Sequence, residues 1–474
     1  MQETGFQKSL TLFDSTAIVV GSMIGSGIFI VSSDIARQVG APGWLLMVWL
    51  ITGVLTIFAA LSYGELAGMF PKAGGQYVYL KEAYNPLIGF LYGWTLFLVI
   101  QTGTIAAVAM AFAKFLGVII PWISESVTWI RIGFFKFGPV QIVAIASIAF
   151  LTWINTRGIK AGKQVQNSFT SIKVLLLIGF IMVGLGFAAH TGAFEINRKV
   201  FWEASQIQNG QVIPLAGFAL IAAIGMAMVG SLFSSDAWNN ITFTAGEVIN
   251  PRKNIPLSLF LGTFIVTILY LLANLVYITV LPVRGSSEGA DVLARGMQFA
   301  TDDRLATAAI HGVFGAYAAV IMAGFIVIST FGCNNGLILS GARVYYAMAK
   351  DNTFFRQVGE LNNKRVPKNG LVFQGIWAAL LCLSGTYGDL LDYVVFAVLI
   401  FYVLTIFGLF ILRIRKPELE RPYKAFGYPV VPLVYILLGI LIMGILLVFK
   451  PLYTWPGLIV VLTGIPVFYL WKRG

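Results

Sequence analysis

Residues 20–33 read VGSMIGSGIFIVSS, and the seven at 21–27, GSMIGSG, hold three glycines and two serines. The flanking sequence is apolar enough to lie in a bilayer, so helix-weakening residues crowd the place where a spanning helix should be strongest. In lipid, unwound backbone leaves N–H and C=O groups without partners. It persists there only where those groups face protein, a ligand or a water-filled cavity. A break at this depth therefore implies something polar to be bound. The competing reading is close helix packing, because Gly21 and Gly25 form a GxxxG pair. Gly27 and the interleaved serines cover more than one helical face, which is more than a packing stripe needs.

The rest of the chain agrees with a membrane setting. Of 474 residues, 58% are hydrophobic and 11% charged, far below the roughly one-quarter charged of soluble domains; the mean hydropathy is +0.85. Apolar stretches long enough to cross about 30 Å of hydrocarbon recur about twelve times, near 12–36, 43–69, 86–118, 139–156, 166–190, 214–246, 256–282, 305–341, 369–387, 388–412, 429–449 and 455–471. The expectation is an all-α polytopic membrane protein. The polar start MQETGFQKS and the long first stretch do not fit a cleavable signal peptide.

Charge supplies orientation. With both termini inside, 21 of the 32 basic residues fall in cytoplasmic loops, so the basic excess behind the net charge of +12 lies on that face. Topology thus accounts for the basic balance better than nucleic acid does, and no nucleic-acid partner is expected. Cys333 and Cys382 lie in apolar stretches and read as small core thiols, while His190 and His311 are too isolated for a metal site. No Walker loop, HExxH or serine elbow is present. Neither enzymatic activity, nor a metal, nor a cofactor is expected. The NIT at Asn240 lies inside a span and is a chance glycosylation match.

A second interruption stands in the sixth stretch, where PLAGFALIAAIGMAMVGSLF meets SSDAWNN before ITFTAGEVINP. If spans one to five (1–190) and six to ten (191–412) are repeats, with 413–474 adding a loop and two more spans, the two breaks are equivalent. An odd number of spans per repeat inverts one against the other. New half-helix amino termini then point donors at an anion, and carboxyl ends offer carbonyls to a cation. A free amino acid carries one of each. Two ionisable residues fall within spans, Asp236 in the second break and Lys173 in the fifth stretch. Asp236 reads either as a helix cap or as a substrate contact, and Lys173 either snorkels to the surface or serves a cation site.

At these residues the sequence resembles the L-type amino acid transporter family of the amino acid, polyamine and organocation superfamily, in its bacterial branch. The likeness runs through GSMIGSGIF, through YGELAGMFPKAGGQYVYLKEAYNPLIGFLYGWTLFLV at 63–99, through LFSSDAWNNITFTAGEVINPRKNIP at 232–256 and through STFGCNNGLILSGARVYYAMAKDN at 329–352. It implies a LeuT-like five-plus-five inverted repeat with two extra carboxyl-terminal helices. It also implies sodium-independent exchange of L-amino acids by alternating access, here of small to medium neutral ones. By position, Ser22, Met23, Gly25, Ser26 and Gly27 would receive the substrate carboxylate. Phe233, Ser234 and Ser235 would take the amino group, with Phe233 as a gate. Lys173 matches the family's fifth-helix lysine, which stands where sodium sits in sodium-coupled relatives and bridges the first helix to the eighth near Ser329. Asn335 is a lining candidate. Two departures stand out. The loop VIIPWISESVTWIRIGFFKFGP has no cysteine, so a disulfide-linked ancillary subunit is not expected. Asp236 replaces a small residue, which opens proton-coupled symport as an alternative. A non-transporting sensor is the remaining alternative, and no long soluble tail favours it.

Overall fold

The computed structural model describes residues 5–473 except 125–126, 133–134, 209–210 and 385–386. The first span is split. A capping box, in which Thr11 and Asp14 satisfy each other's backbone N–H, starts α1 (Leu12–Met23). The chain is extended at Ile24, and α2 (Gly27–Val39) ends on Gly40 in the left-handed region that a glycine tolerates. The two halves are bent by 43°. A long α3 (Pro42–Met69) leads to the short α4 (Gln76–Ala83), whose first five residues are buried, so this connection is wedged into the protein. Next, α5 (Pro86–Thr95) runs through a π-helical turn at Leu96–Ile100 into α6 (Gln101–Ile119).

A hairpin of β1 (Ile130–Ile132) and β2 (Phe135–Phe137), with Ile130 opposite Phe137, precedes α7 (Pro139–Thr156) and α8 (Ile159–Phe187). After α9 (Ala193–Lys199), a second hairpin pairs β3 (Ser205–Gln208) with β4 (Gln211–Pro214), Ser205 facing Pro214. The sixth span is the second split one: α10 (Gly217–Ser234), an unwound stretch, and the single turn of α11 (Asn240–Phe243). The remainder is α12 (Pro251–Val280), α13 (Val292–Arg295), α14 (Leu305–Phe314), α15 (Ala318–Lys350), α16 (Lys368–Leu381), α17 (Tyr387–Arg415), α18 (Val430–Phe449) and α19 (Pro451–Arg473).

The burial pattern inverts that of a soluble protein. Leu175, Met182, Leu452 and Leu470 lie exposed on the outside, while Lys173, Glu65, Asn274 and Arg343 are buried within. Together with length and composition, this makes the chain an all-α polytopic membrane protein. Among the described residues, ten helices are long and apolar enough to span, and the bent α1–α2 pair makes an eleventh. The expected ninth span corresponds to α16. It has 14 residues and rises about 21 Å, short of a full crossing. The eighth span differs in the other direction: expected to end near 341, it continues helically to Lys350. Arg343, two residues beyond the expected end of that span, is therefore inside the protein, paired twice with Glu247 at 3.0 and 2.9 Å.

Candidate functional site

The three glycines of GSMIGSG each admit a different helix. A Cβ on Gly21 would stand 2.1 Å from Gln166 Nε2 and 2.2 Å from Thr170 Oγ1, both on α8. On Gly25 it would meet Cys333 Sγ of α15 at 3.4 Å. On Gly27 it would fall 2.1 Å from Ser234 Oγ and 2.8 Å from its Cβ, at the end of α10. Both readings of the glycines thus apply. They pack helices, and at Gly27 the packed neighbour is the other break.

Unwinding at 24–26 leaves the carbonyls of the last turn of α1 without the N–H groups that a continuing helix would bring. Five successive carbonyls accept from side chains instead. Lys173 Nζ donates to Gly21 O and Ile24 O, each at 2.7 Å, and to Ser329 O at 3.1 Å. Cys333 Sγ lies 3.0 Å from Ser22 O. Tyr270 Oη lies 3.0 Å from Met23 O and 3.1 Å from Ser234 O, so one hydroxyl joins the two breaks. Ser329 Oγ reaches Ile24 O at 3.1 Å and Gly25 O at 2.9 Å. Lys173 is fully buried, which rules out snorkelling. Its ammonium fills a cluster of carbonyl oxygens of the kind that broken helices offer to sodium.

The second break is satisfied differently. The N–H of Ser235 turns back to Ser231 O and Leu232 O, that of Asp236 to Phe233 O, and that of Asn240 to Ala237 O. Ala237 pays for this local folding with φ of 63°, a conformation that L-residues with a Cβ disfavour. Asp236 does not cap α11, whose N-cap is Asn239. Its carboxylate accepts the hydroxyl of Tyr402, on α17, at 2.5 Å. Below it, Asn239 Nδ2 donates to Gln76 Oε1, and Gln76 Nε2 to Thr405 Oγ1. Narrow cavities flank Asp236 on both sides. One is lined by Gln101, Asn240 and Tyr92, the other by Phe233, Ser235, Trp238 and Tyr435.

The residues singled out from sequence at the two breaks, Met23 to Gly27 and Phe233 to Asp236, therefore meet in space, with Lys173 and Ser329 behind the first. Two lie elsewhere. The Ser22 hydroxyl is buried without a partner, near the spot a Cβ on Gly336 would occupy. Asn335 donates to Gln166 Oε1 at 2.9 Å and to Gly162 O at 3.1 Å, behind α1. Tyr270, Tyr402 and Cys333 were not singled out as site residues. The signal for the tyrosines was present: a hydroxyl in an apolar span must find an acceptor.

Two broken helices that meet inside a polytopic bundle, with a buried ammonium behind one and a carboxylate on the other, are an arrangement that membrane transporters build near the bilayer midplane. The chain belongs to the amino acid permease family, whose profile matches residues 10–468. Its relatives include the b(0,+)-type amino acid transporter 1 of Homo sapiens, 29% identical over 480 residues that cover 98% of this chain and 88% of the relative. The large neutral amino acids transporter small subunit 2 of Homo sapiens is 28% identical over 469 residues, covering 98% of this chain and 80% of the relative. The protein is an integral membrane amino acid transporter and not an enzyme.

Proposed function

We propose that the protein exchanges small to medium neutral L-amino acids across the membrane without sodium, by alternating access around the two breaks. The observation that carries this reading is Lys173 Nζ held by the carbonyls of Gly21, Ile24 and Ser329. A tethered ammonium supplies the positive charge that a bound sodium ion would otherwise bring, so no sodium is needed. The start of α2 has backbone N–H groups without intrahelical acceptors, suited to the substrate carboxylate near Ser26 and Gly27. Ser22, Met23 and Gly25 belong to the same turn. The amino group faces the end of α10 at Phe233, Ser234 and Ser235, and small residues on both sides favour compact substrates.

In this reading 1–190 and 191–412 are inverted repeats, 413–474 adds the last two helices, and both termini lie on the cytoplasmic side of a bacterial inner membrane. The basic loops support that orientation. No disulfide-linked subunit is part of this reading, since both cysteines are buried within the bundle. The name of the second relative agrees with neutral substrates, though it specifies large ones, so the preference for small to medium amino acids rests on the small residues at the two breaks alone. Proteoliposomes preloaded with unlabelled amino acid test the proposal. Internal amino acid should stimulate labelled uptake equally in sodium and in choline buffer; uptake that ignores the internal load would sink it. A second reading rests on Asp236, whose carboxylate has the Tyr402 hydroxyl and no cation beside it among the described residues. Proton-coupled uptake through Asp236 would show as net entry into empty vesicles driven by a pH gradient and lost in Asp236→Asn.

A further inference from the structure

A cavity of about 940 Å³ opens on the face of the bundle where α1 begins, within the size range of small-molecule sites. None of its lining residues belongs to either break. Its walls come mainly from four stretches far apart in the chain: residues 5–8 ahead of α1, the turn between α3 and α4, the end of α15 and the loop leading to α16. Each stretch brings one cation, Lys8, Lys72, Lys350 and Arg365 in that order. Two acids line the cavity as well, and both are taken. Asp351 accepts from Lys81 Nζ at 2.6 Å and from Tyr77 Oη at 2.9 Å, while Glu82 accepts at 2.8 Å from Lys416 Nζ, which is not part of the lining. Among the described residues, the other four cations have no carboxylate partner.

The amino-terminal wall is fastened in place. The N–H groups of Ser9 and Leu10 donate to Glu247 O at 2.8 and 2.9 Å, and the Phe6 ring stands edge-on to Tyr346 with centroids 4.8 Å apart. Lys350 Nζ lies 5.5 Å from the centre of the same tyrosine ring. The backbone that carries Lys8 is thus held against the end of α15, beside Lys350.

A basic face at a membrane surface needs only cations near the helix ends. Spread over convex surface, such cations are screened by water and salt. Here like charges from four stretches converge on one hollow, whose walls concentrate their field, and the acids that could neutralise them are committed elsewhere. A bound anion relieves the repulsion this convergence costs. Three of the four cations are lysines, compact ammonium charges that serve phosphate as points. Four charges around a hollow of this volume suit a polyanion better than a single carboxylate.

We infer that this cavity binds a phosphate-bearing polyanion through Lys8, Lys72, Lys350 and Arg365. Two sources carry that chemistry at such a place, the headgroup of an anionic phospholipid and a soluble phosphorylated compound. The inference goes beyond the transport reading and stands without it.

Inorganic tripolyphosphate is the probe, titrated calorimetrically at constant ionic strength onto the full-length protein in phosphatidylcholine nanodiscs. The wild type should bind it saturably. Lys72→Gln together with Lys350→Gln should weaken binding at least about tenfold; where that pair does not fold, Lys8→Gln with Arg365→Gln takes its place. A control pair, Lys253→Gln with Lys424→Gln, removes two exposed cations outside the cavity and should leave the affinity within about twofold. Native mass spectrometry from discs containing phosphatidylglycerol separates the sources. A lipid source should leave the wild type, and not the cavity pair, carrying bound phosphatidylglycerol, whereas equal lipid on both assigns the site to a soluble compound. Absence of saturable binding in phosphatidylcholine discs, or equal losses in the cavity and control pairs, overturns the inference.

Discussion

The two breaks solve the same problem by opposite means. At 24–26 the freed carbonyls are met from outside, by Lys173 of α8, Tyr270 of α12, and Ser329 and Cys333 of α15. At 235–239 the backbone folds onto itself through tight turns, and the outside contributes to side chains, with Tyr402 on Asp236 and Gln76 on Asn239. The first break therefore depends on three other helices and is coupled to all of them. The second keeps its shape more locally and leaves a carboxylate beside two cavities. One break takes its shape from other helices, and the other holds its shape largely by itself.

Removing the lysine should break this contrast most severely. Lys173→Met takes a donor from Gly21 O, Ile24 O and Ser329 O together; at about 1.5–3 kcal/mol for each charged hydrogen bond, exchange should fall below about 1% of wild type. Measured uptake and the melting temperature of the purified protein should both drop. Crowding the point where the breaks touch comes next. Gly27→Val puts atoms where Ser234 already stands, and overpacking of this sort costs about 1–3 kcal/mol. We expect substrate binding weakened by at least about tenfold by scintillation proximity, with insertion into the membrane retained and Gly27→Ala intermediate. Normal affinity in the valine variant would count heavily against a site here.

A smaller effect is expected from Tyr270→Phe, which deletes the hydroxyl shared by Met23 O and Ser234 O. Leaving such acceptors unsatisfied costs about 1–3 kcal/mol, so a roughly tenfold slower exchange with a modest loss of thermal stability should follow. The smallest belongs to Asp236→Asn. The amide still accepts from Tyr402, so exchange of neutral amino acids should stay within about threefold. A larger loss confined to uptake driven by a pH gradient would shift weight to the second reading of Asp236.

Much of the site was legible because membrane depth makes polar residues conspicuous. Glycines and serines at 21–27, the SSDAWNN interruption and a lysine in SFTSIKVLLLIGF all violate the apolar rule of a span. The direction in which each side chain points was not legible. Asn335 sits in the same FGCNNG turn as Cys333, yet it faces α7 and α8 while Cys333 faces the break. Arg343 obeyed the positive-inside pattern in sequence, but its pairing with Glu247, nearly a hundred positions away, lets it lie buried. Tyr270 and Tyr402 were hidden by type, since an aromatic ring fits an apolar span and only its hydroxyl is out of place.

By itself the sequence determined that this chain crosses the membrane many times, that two of its spans carry interruptions and that a lysine and an aspartate fall within spans. Those properties follow from composition and local propensity, which neighbours in the fold scarcely alter. Only the tertiary structure decided which helix each glycine of GSMIGSG admits and which side chain meets each freed carbonyl. These depend on rotation of one helix against another, a quantity of a few ångströms that hydropathy along a single strand of sequence does not contain.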